Sequence, residues 1–164
     1  MTKSDALARR ETERDAVLQA LTKHVPYNRF LGVEFDRLGD ELTARLSYQE
    51  KHIGNPFLPA IHGGVTGAFL EITALTQLGW DTCWAIMEQG GDAADALYAG
   101  TFPPMPKTID ITIDYLRSGR PREIYARAHV QKAGRRVANL SVQAWQDNRA
   151  RPIAVLRGNF LMPQ

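Results

Sequence analysis

The chain has a single cysteine, Cys83, among its 164 residues. A lone thiol excludes an intrachain disulfide and every zinc motif built from several cysteines, and such a residue is ordinarily buried as a small hydrophobe. The four histidines, His24, His52, His62 and His129, share no metal-ligand spacing, so neither a metal nor another cofactor is called for. Also missing are the G-x-S-x-G elbow, the G-x-x-x-x-G-K-[ST] loop and the G-x-G-x-x-G turn, which takes the usual support from a serine hydrolase, a P-loop NTPase and a Rossmann enzyme. No apolar run of spanning length is free of Gly, Glu and Asp, and MTKSDALARRETERD lacks the apolar core of a signal peptide. A cytoplasmic protein without membrane association is expected. Blocks of like charge are absent as well: 20 basic residues against 18 acidic ones give a net charge of +2, and the basic residues are scattered, so nucleic acid is not the expected partner. The length suits one domain, 1–164, with a single core.

What is present centres on Ile61 to Trp80, IHGGVTGAFLEITALTQLGW. At about 100° per residue this segment places Val65, Ala68, Phe69, Ile72, Leu75, Thr76 and Gly79 on one broad face of a helix, with Leu70, Ala74 and Leu78 extending it. Thr66, Thr73 and Gln77 form a narrow opposite strip. From Val65 to Trp80 the only ionisable side chain is Glu71. A helix apolar nearly all round is normally buried, and a carboxylate on it has to be paired, hydrogen-bonded or neutralised. One reading of Glu71 is a structural ion pair with an arginine. The other follows from His62-Gly63-Gly64, which opens the helix without a Ser, Thr, Asp or Asn directly before Val65 to occupy the free N–H groups of the first turn. Two glycines let another atom approach those donors, a helix start stabilises negative charge, and Glu71 lies roughly 10 Å further along the axis.

The pattern HGG, four residues, Phe or Leu, then an acid resembles the phenylacetate-degradation (PaaI-type) branch of hotdog-fold acyl-CoA thioesterases. The downstream stretch TIDITIDYLRSGRPREIYARAHVQKAGRRVANLSVQAW is also similar, and the likeness runs from about Phe30 onward. The resemblance implies that the Gly63 N–H binds the thioester oxyanion and that Glu71 is the catalytic carboxylate, as general base or nucleophile. Gly64, beside Gly63, is read as a substrate-binding position, and His62 as a site residue that braces the loop with its ring nitrogens rather than acting as a base. An Asn or Gln usually stands six residues before the histidine and faces the partner subunit's acid. Here Asn55 stands seven before His62 and is assigned that role. The resemblance therefore implies a homodimer or homotetramer with sites at the subunit interface and an acyl-CoA substrate. Arg117, Arg120, Arg135 and Arg136 fall at strand ends and turns, where guanidinium groups suit the phosphates of coenzyme A, with Arg135 and Arg136 favoured for bordering the Gly134 turn. Two other readings stay open: an acyl-CoA or acyl-chain binding protein without turnover, and a hotdog hydratase or dehydratase, although a His-Phe-Pro-Gly-His stretch is absent.

The rest of the chain divides by period. Residues 1–31 form an N-terminal helical segment: Lys3 to Val25 lacks Gly and Pro, docks through Val17, Leu18, Leu21 and Val25, presents a solvated first half, and ends at Pro26. Gly32 to Leu38 and Glu41 to Tyr48 are two strands about the Gly39-Asp40 turn. Gln49 to Ile61 reads as a loop. Trp80, Trp84 and Met87 continue the central helix, and 89–106 is an insertion with a short helical turn near Ala93 to Tyr98. From Lys107 the period is two: Ile109, Ile111, Ile113 and Tyr115 alternate with Asp110, Thr112 and Asp114, followed by strands from Ile124, Arg136 and Ile153. One long apolar helix and about six antiparallel strands make an α+β protein, and the resemblance implies the hotdog fold, with the sheet wrapped around the helix.

Overall fold

The computed structural model describes residues 2–163. Helix α1, Lys3–Lys23, begins at a capping box in which the Thr2 hydroxyl accepts from the Asp5 N–H and the Asp5 carboxylate accepts from the Thr2 N–H, satisfying two of the otherwise orphaned donors. Val17, Leu18 and Leu21 enter the core. The first half of α1 is tied down rather than simply solvated. Arg14 lies over the Trp84 ring at 4.1 Å and pairs with Glu88, and Arg37 reaches both Glu11 and Asp15. The helix stops at Lys23, and Pro26 does not end it but opens a second helix, α2, Pro26–Leu31. Proline is well suited to a first helical position, where no N–H is needed.

Strands β1, Val33–Leu38, and β2, Glu41–Leu46, form the expected hairpin. The segment read as a loop holds more order than its glycine and prolines suggest. A 3₁₀ turn, Glu50–His52, leads to a small hairpin of β3, Ile53–Asn55, and β4, Ala60–Ile61, that delivers the chain to the central helix α3, Gly63–Gln89. Helix α4, Asp92–Tyr98, lies in the insertion. Strands β5, Lys107–Tyr115, β6, Ile124–Ala133, β7, Val137–Trp145, and β8, Ala154–Leu161, complete a six-stranded antiparallel sheet in the order β1-β2-β6-β7-β8-β5. This sheet around one long helix is the hotdog architecture. Phe69, Leu70, Ala74, Leu78 and Trp80 of α3 pack with Leu46, Ile124, Leu140, Leu156 and Phe160 of the sheet in one core, in which each fully buried Leu, Ile or Phe side chain contributes about 1.5–3 kcal/mol.

Two details differ from the periodicity. Thr66 and Thr73, expected on an opposite polar strip, are buried at 4% and 3% exposure. The Thr73 hydroxyl donates to the Phe69 carbonyl one turn back at 2.7 Å, so its polar atom is satisfied within the helix and its methyl group can pack. The side left half-covered is instead that of Ala68, Glu71, Ile72 and Leu75. In β5 the register shifts between Thr108 and Asp110. This bulge leaves Ile109 54% exposed and reverses the sidedness of the strand's start, turning Thr108 inward with Ile111 and Ile113.

Candidate active site

The start of α3 is held by four hydrogen bonds that leave one donor open. The His62 carbonyl accepts from the Val65 and Thr66 N–H groups at 3.0 and 3.2 Å. The Gly64 N–H, expected to be free, is taken by His62 Nδ1 at 2.8 Å; an imidazole nitrogen serves here as the N-cap acceptor that the usual cap residues would supply. The Tyr115 hydroxyl donates to the Gly63 carbonyl at 2.8 Å. The Gly63–Gly64 peptide is thus gripped at both its C=O and its N–H. Among the described residues only the Gly63 N–H of this first turn has no acceptor.

Close approaches of backbone fix this geometry. A Cβ on Gly54 would come within 2.7 Å of both the His62 backbone and its ring, and one on Gly67 within 3.2 Å of the Tyr115 hydroxyl. Gly54 thus lets β3 press the imidazole into place, and Gly67 lets the tyrosine lie across the helix. His62 Nδ1 is an acceptor in this bond, which puts the proton of the neutral ring on Nε2.

Two turns along the helix, Glu71 Oε1 accepts from the Thr108 hydroxyl at 2.6 Å. No cation pairs with Glu71 among the described residues, which removes the reading of a buried arginine partner. Oε2 has no donor, and Glu71 is half-buried on the same side of the helix as Ala68, Ile72 and Leu75. Beside the helix start, a cavity of about 430 Å³ is bounded by Gly63, Thr66, Tyr115, Arg117 and Ile153. The open N–H donor borders this hollow, and Glu71 stands two turns along the helix, outside its lining.

The sequence matches the thioesterase superfamily over residues 58–153. The chain belongs to the thioesterase superfamily. It is similar to the medium/long-chain acyl-CoA thioesterase YigI of Escherichia coli, 30% identical over 122 residues that cover 73% of this chain and 75% of the relative. Among solved structures, a Chromobacterium violaceum protein is 29% identical with a TM-score of 0.64, covering 95% of this chain and 97% of that one. PaaI from the phenylacetic acid degradation operon of Escherichia coli superposes with a TM-score of 0.69 over 93% of this chain and 95% of its own, at 13% identity, and so shares the fold.

Within this thioesterase, Gly63, His62 and Gly64 come together as one motif at the helix start, with Glu71 further along the same helix. Asn55 stands apart, exposed at the end of β3. Its Oδ1 accepts from the N–H groups of Phe57 and Leu58 at 3.0 and 3.2 Å, which leaves its amide N–H₂ as the group able to meet a ligand. Arg117 follows β5 at the Gly63 end of the sheet, where its Nη1 donates to the Pro152 carbonyl at 2.7 Å. Arg135 and Arg136 occupy the β6–β7 turn beside the Lys107 and Leu161 end, the length of β7 away, roughly 27 Å at the rise of a strand. Two residues of the site escaped the sequence pattern. Thr108 is hidden by the bulge, and Tyr115 sits on the expected face without any sign of what its hydroxyl would hold. Trp80 is buried in the core, whereas Phe57 is 93% exposed.

Proposed function

We propose that this protein hydrolyses acyl-CoA thioesters to the free acid and coenzyme A. The observation that carries the reading is the solitary unsatisfied Gly63 N–H on a clamped helix start, with Glu71 on the half-covered face of the same helix. The thioester carbonyl accepts from the Gly63 N–H, and one such donor is worth about 10² to 10³ in rate. With Oε1 held by Thr108, Glu71 Oε2 takes a proton from the attacking water as general base; a tetrahedral intermediate forms and collapses with loss of the coenzyme A thiolate, which then takes up a proton. His62 braces the loop, and Gly64 permits the turn beneath the substrate. The apolar surroundings of Ala68, Ile72 and Leu75 suit a medium or long acyl chain, the class named for YigI.

The site is completed by a second copy. Strand β5 is an edge with a partner, β8, on one side only, and Ile109, Tyr115 and Leu116 are 54%, 56% and 50% exposed along or beside it. An exposed apolar edge of this length invites pairing. A homodimer, alone or within a homotetramer, brings Asn55 of one copy to Glu71 of the other, where its amide positions the water or the carbonyl. Mixed dimers of Asn55→Ala and Glu71→Ala chains then regain part of the activity that each lacks alone, and a monomer by light scattering excludes this arrangement.

The deciving substitution for the chemistry is Glu71→Gln. It preserves volume and strands no cation, so melting stays near that of the parent while kcat on an acyl-CoA falls about 10²-fold or more. Binding of acyl-CoA without thiol release in the parent protein would instead establish a carrier, and a change in enoyl absorbance a hydratase. Single turnover in ¹⁸O-labelled water puts the label in the product acid if water attacks, and in Glu71 if the carboxylate does.

A further inference from the structure

The Gly63 N–H belongs to the peptide that follows His62, so its direction is set by rotation about the His62 backbone, which stands at φ −59° and ψ 133° before the helical residues begin. His62 makes hydrogen bonds at three points. Its carbonyl and its Nδ1 meet the Val65, Thr66 and Gly64 N–H groups, all within α3, and these bonds move with the helix. Its own N–H donates to the His52 carbonyl at 2.8 Å. Of the three, only the bond to His52 fixes the residue against something outside the helix.

His52 closes the 3₁₀ turn Glu50–His52 through a reciprocal pair of bonds. Its N–H donates to the Gln49 carbonyl at 2.9 Å, and its Nδ1 accepts from the Gln49 N–H at 3.2 Å. Next to it, Lys51 reaches over the Phe30 ring at 4.1 Å and donates to the Phe30 carbonyl, which ties the turn to α2. The ring of His52 is fully buried. With Nδ1 accepting, the proton of the neutral ring sits on Nε2, which closes no hydrogen bond of ordinary geometry, although the Leu31 backbone faces it. A side chain that only filled this space would be apolar, because a buried ring nitrogen without a partner lowers stability. The role left for the imidazole is the Nδ1 acceptor that shapes the turn.

We propose that His52 is a positioning residue for the thioester reaction: its imidazole sets the 3₁₀ turn, the turn presents the His52 carbonyl to the His62 N–H, and His62 in turn aims the Gly63 N–H at the substrate carbonyl. The assignment rests on the acyl-CoA reading above. His52 touches no substrate and moves no proton. Its effect falls on the transition state, because the developing oxyanion depends more on the direction of its donor than the ground-state carbonyl does.

Two polar substitutions separate the acceptor from the space it fills. His52→Asn puts an oxygen two bonds from Cβ, where Nδ1 stood, and still accepts from the Gln49 N–H; His52→Gln carries its amide one bond further and does not. At a temperature where both variants remain folded, His52→Gln should lower kcat on an acyl-CoA about tenfold with KM nearly constant, and His52→Asn should recover most of that loss. Nitrogen NMR should give the same order without turnover: the His62 ring keeps its proton on Nε2 and the Gly64 amide stays protected in the parent and in His52→Asn, and both signatures weaken in His52→Gln. Equal kcat in the two variants, or unaltered His62 and Gly64 signals in His52→Gln, would overturn the proposal. If neither variant folds, amide exchange in the parent decides, because the Gln49, His62 and Gly64 amides open with one free energy if His52 couples them and separately if it does not. A parent that releases no thiol from any acyl-CoA ends the thioesterase reading, while the NMR signals still judge whether His52 sets the helix start.

Discussion

The Tyr115 hydroxyl, at the end of the edge strand, donates to the carbonyl of Gly63, the first residue of the central helix, at 2.8 Å. This bond spans 52 positions of sequence and grips the peptide next to the one that carries the open N–H. Tyr115→Phe removes the donor and keeps the ring beside Gly63 and Gly67. The expected result is a stability loss of about 1 kcal/mol and, on the proposed mechanism, a kcat reduced several-fold with KM nearly constant, because the open Gly63 N–H loses its alignment and ground-state contacts remain. Equal damage to KM and kcat would point to a general packing defect instead.

Thr108 is expected to act through Glu71. Thr108→Val keeps the shape but withdraws the donor from Oε1, freeing the carboxylate to rotate, and kcat should fall about tenfold. Thr108→Ser restores the hydroxyl and should restore most of the rate. Recovery by serine separates the hydrogen bond from the packing of the methyl group, which serine lacks.

His52 gives the fold an acid sensitivity. The ring is 1% exposed, its Nδ1 accepts from the Gln49 N–H at 3.2 Å, and burial, with a smaller contribution from the Lys51 charge, holds its pKa below the ordinary value of 6.5. The unfolded chain therefore takes up this proton first, so the contribution of His52 is intact above about pH 6.5 and is lost as the pH falls below it. Urea unfolding between pH 8 and pH 5 should show that decline, and His52→Gln should flatten it even if the variant is less stable throughout.

Cys83 should be chemically silent. It is fully buried on α3, and desolvation pushes its thiol up to about 11, so little thiolate exists near neutrality. A thiol reagent at pH 8 should label it only in denaturant. Rapid labelling of the folded protein would show that the helix opens locally.

The bulge in β5 marks where sequence reading reaches its limit. Strict alternation through KTIDITIDY puts Thr108 on the side of Asp110 and Thr112, and one extra residue reverses it. A bulge depends on how the strand pairs with β8, so nothing local in the sequence announces it. The same holds for the threonine strip of α3, whose burial follows from the i−4 hydrogen bond of Thr73 and from the sheet that covers it. The Pro26 boundary failed for a more local reason: proline both stops one helix and starts another, and only the chain's path afterwards distinguishes the two.

Period, turn chemistry and the isolated charge at Glu71 were enough to determine one long apolar helix, the strands on either side of it and the carboxylate with His62-Gly63-Gly64 as the place to look. These are properties of residues near one another in the chain. Which N–H of the first turn stays open, which oxygen of Glu71 is held, and which arginine borders the cavity at the helix start were decided by tertiary structure, because Tyr115 and Thr108 reach their partners across 52 and 37 positions, separations at which spacing carries no signal and only the packed sheet brings the groups together.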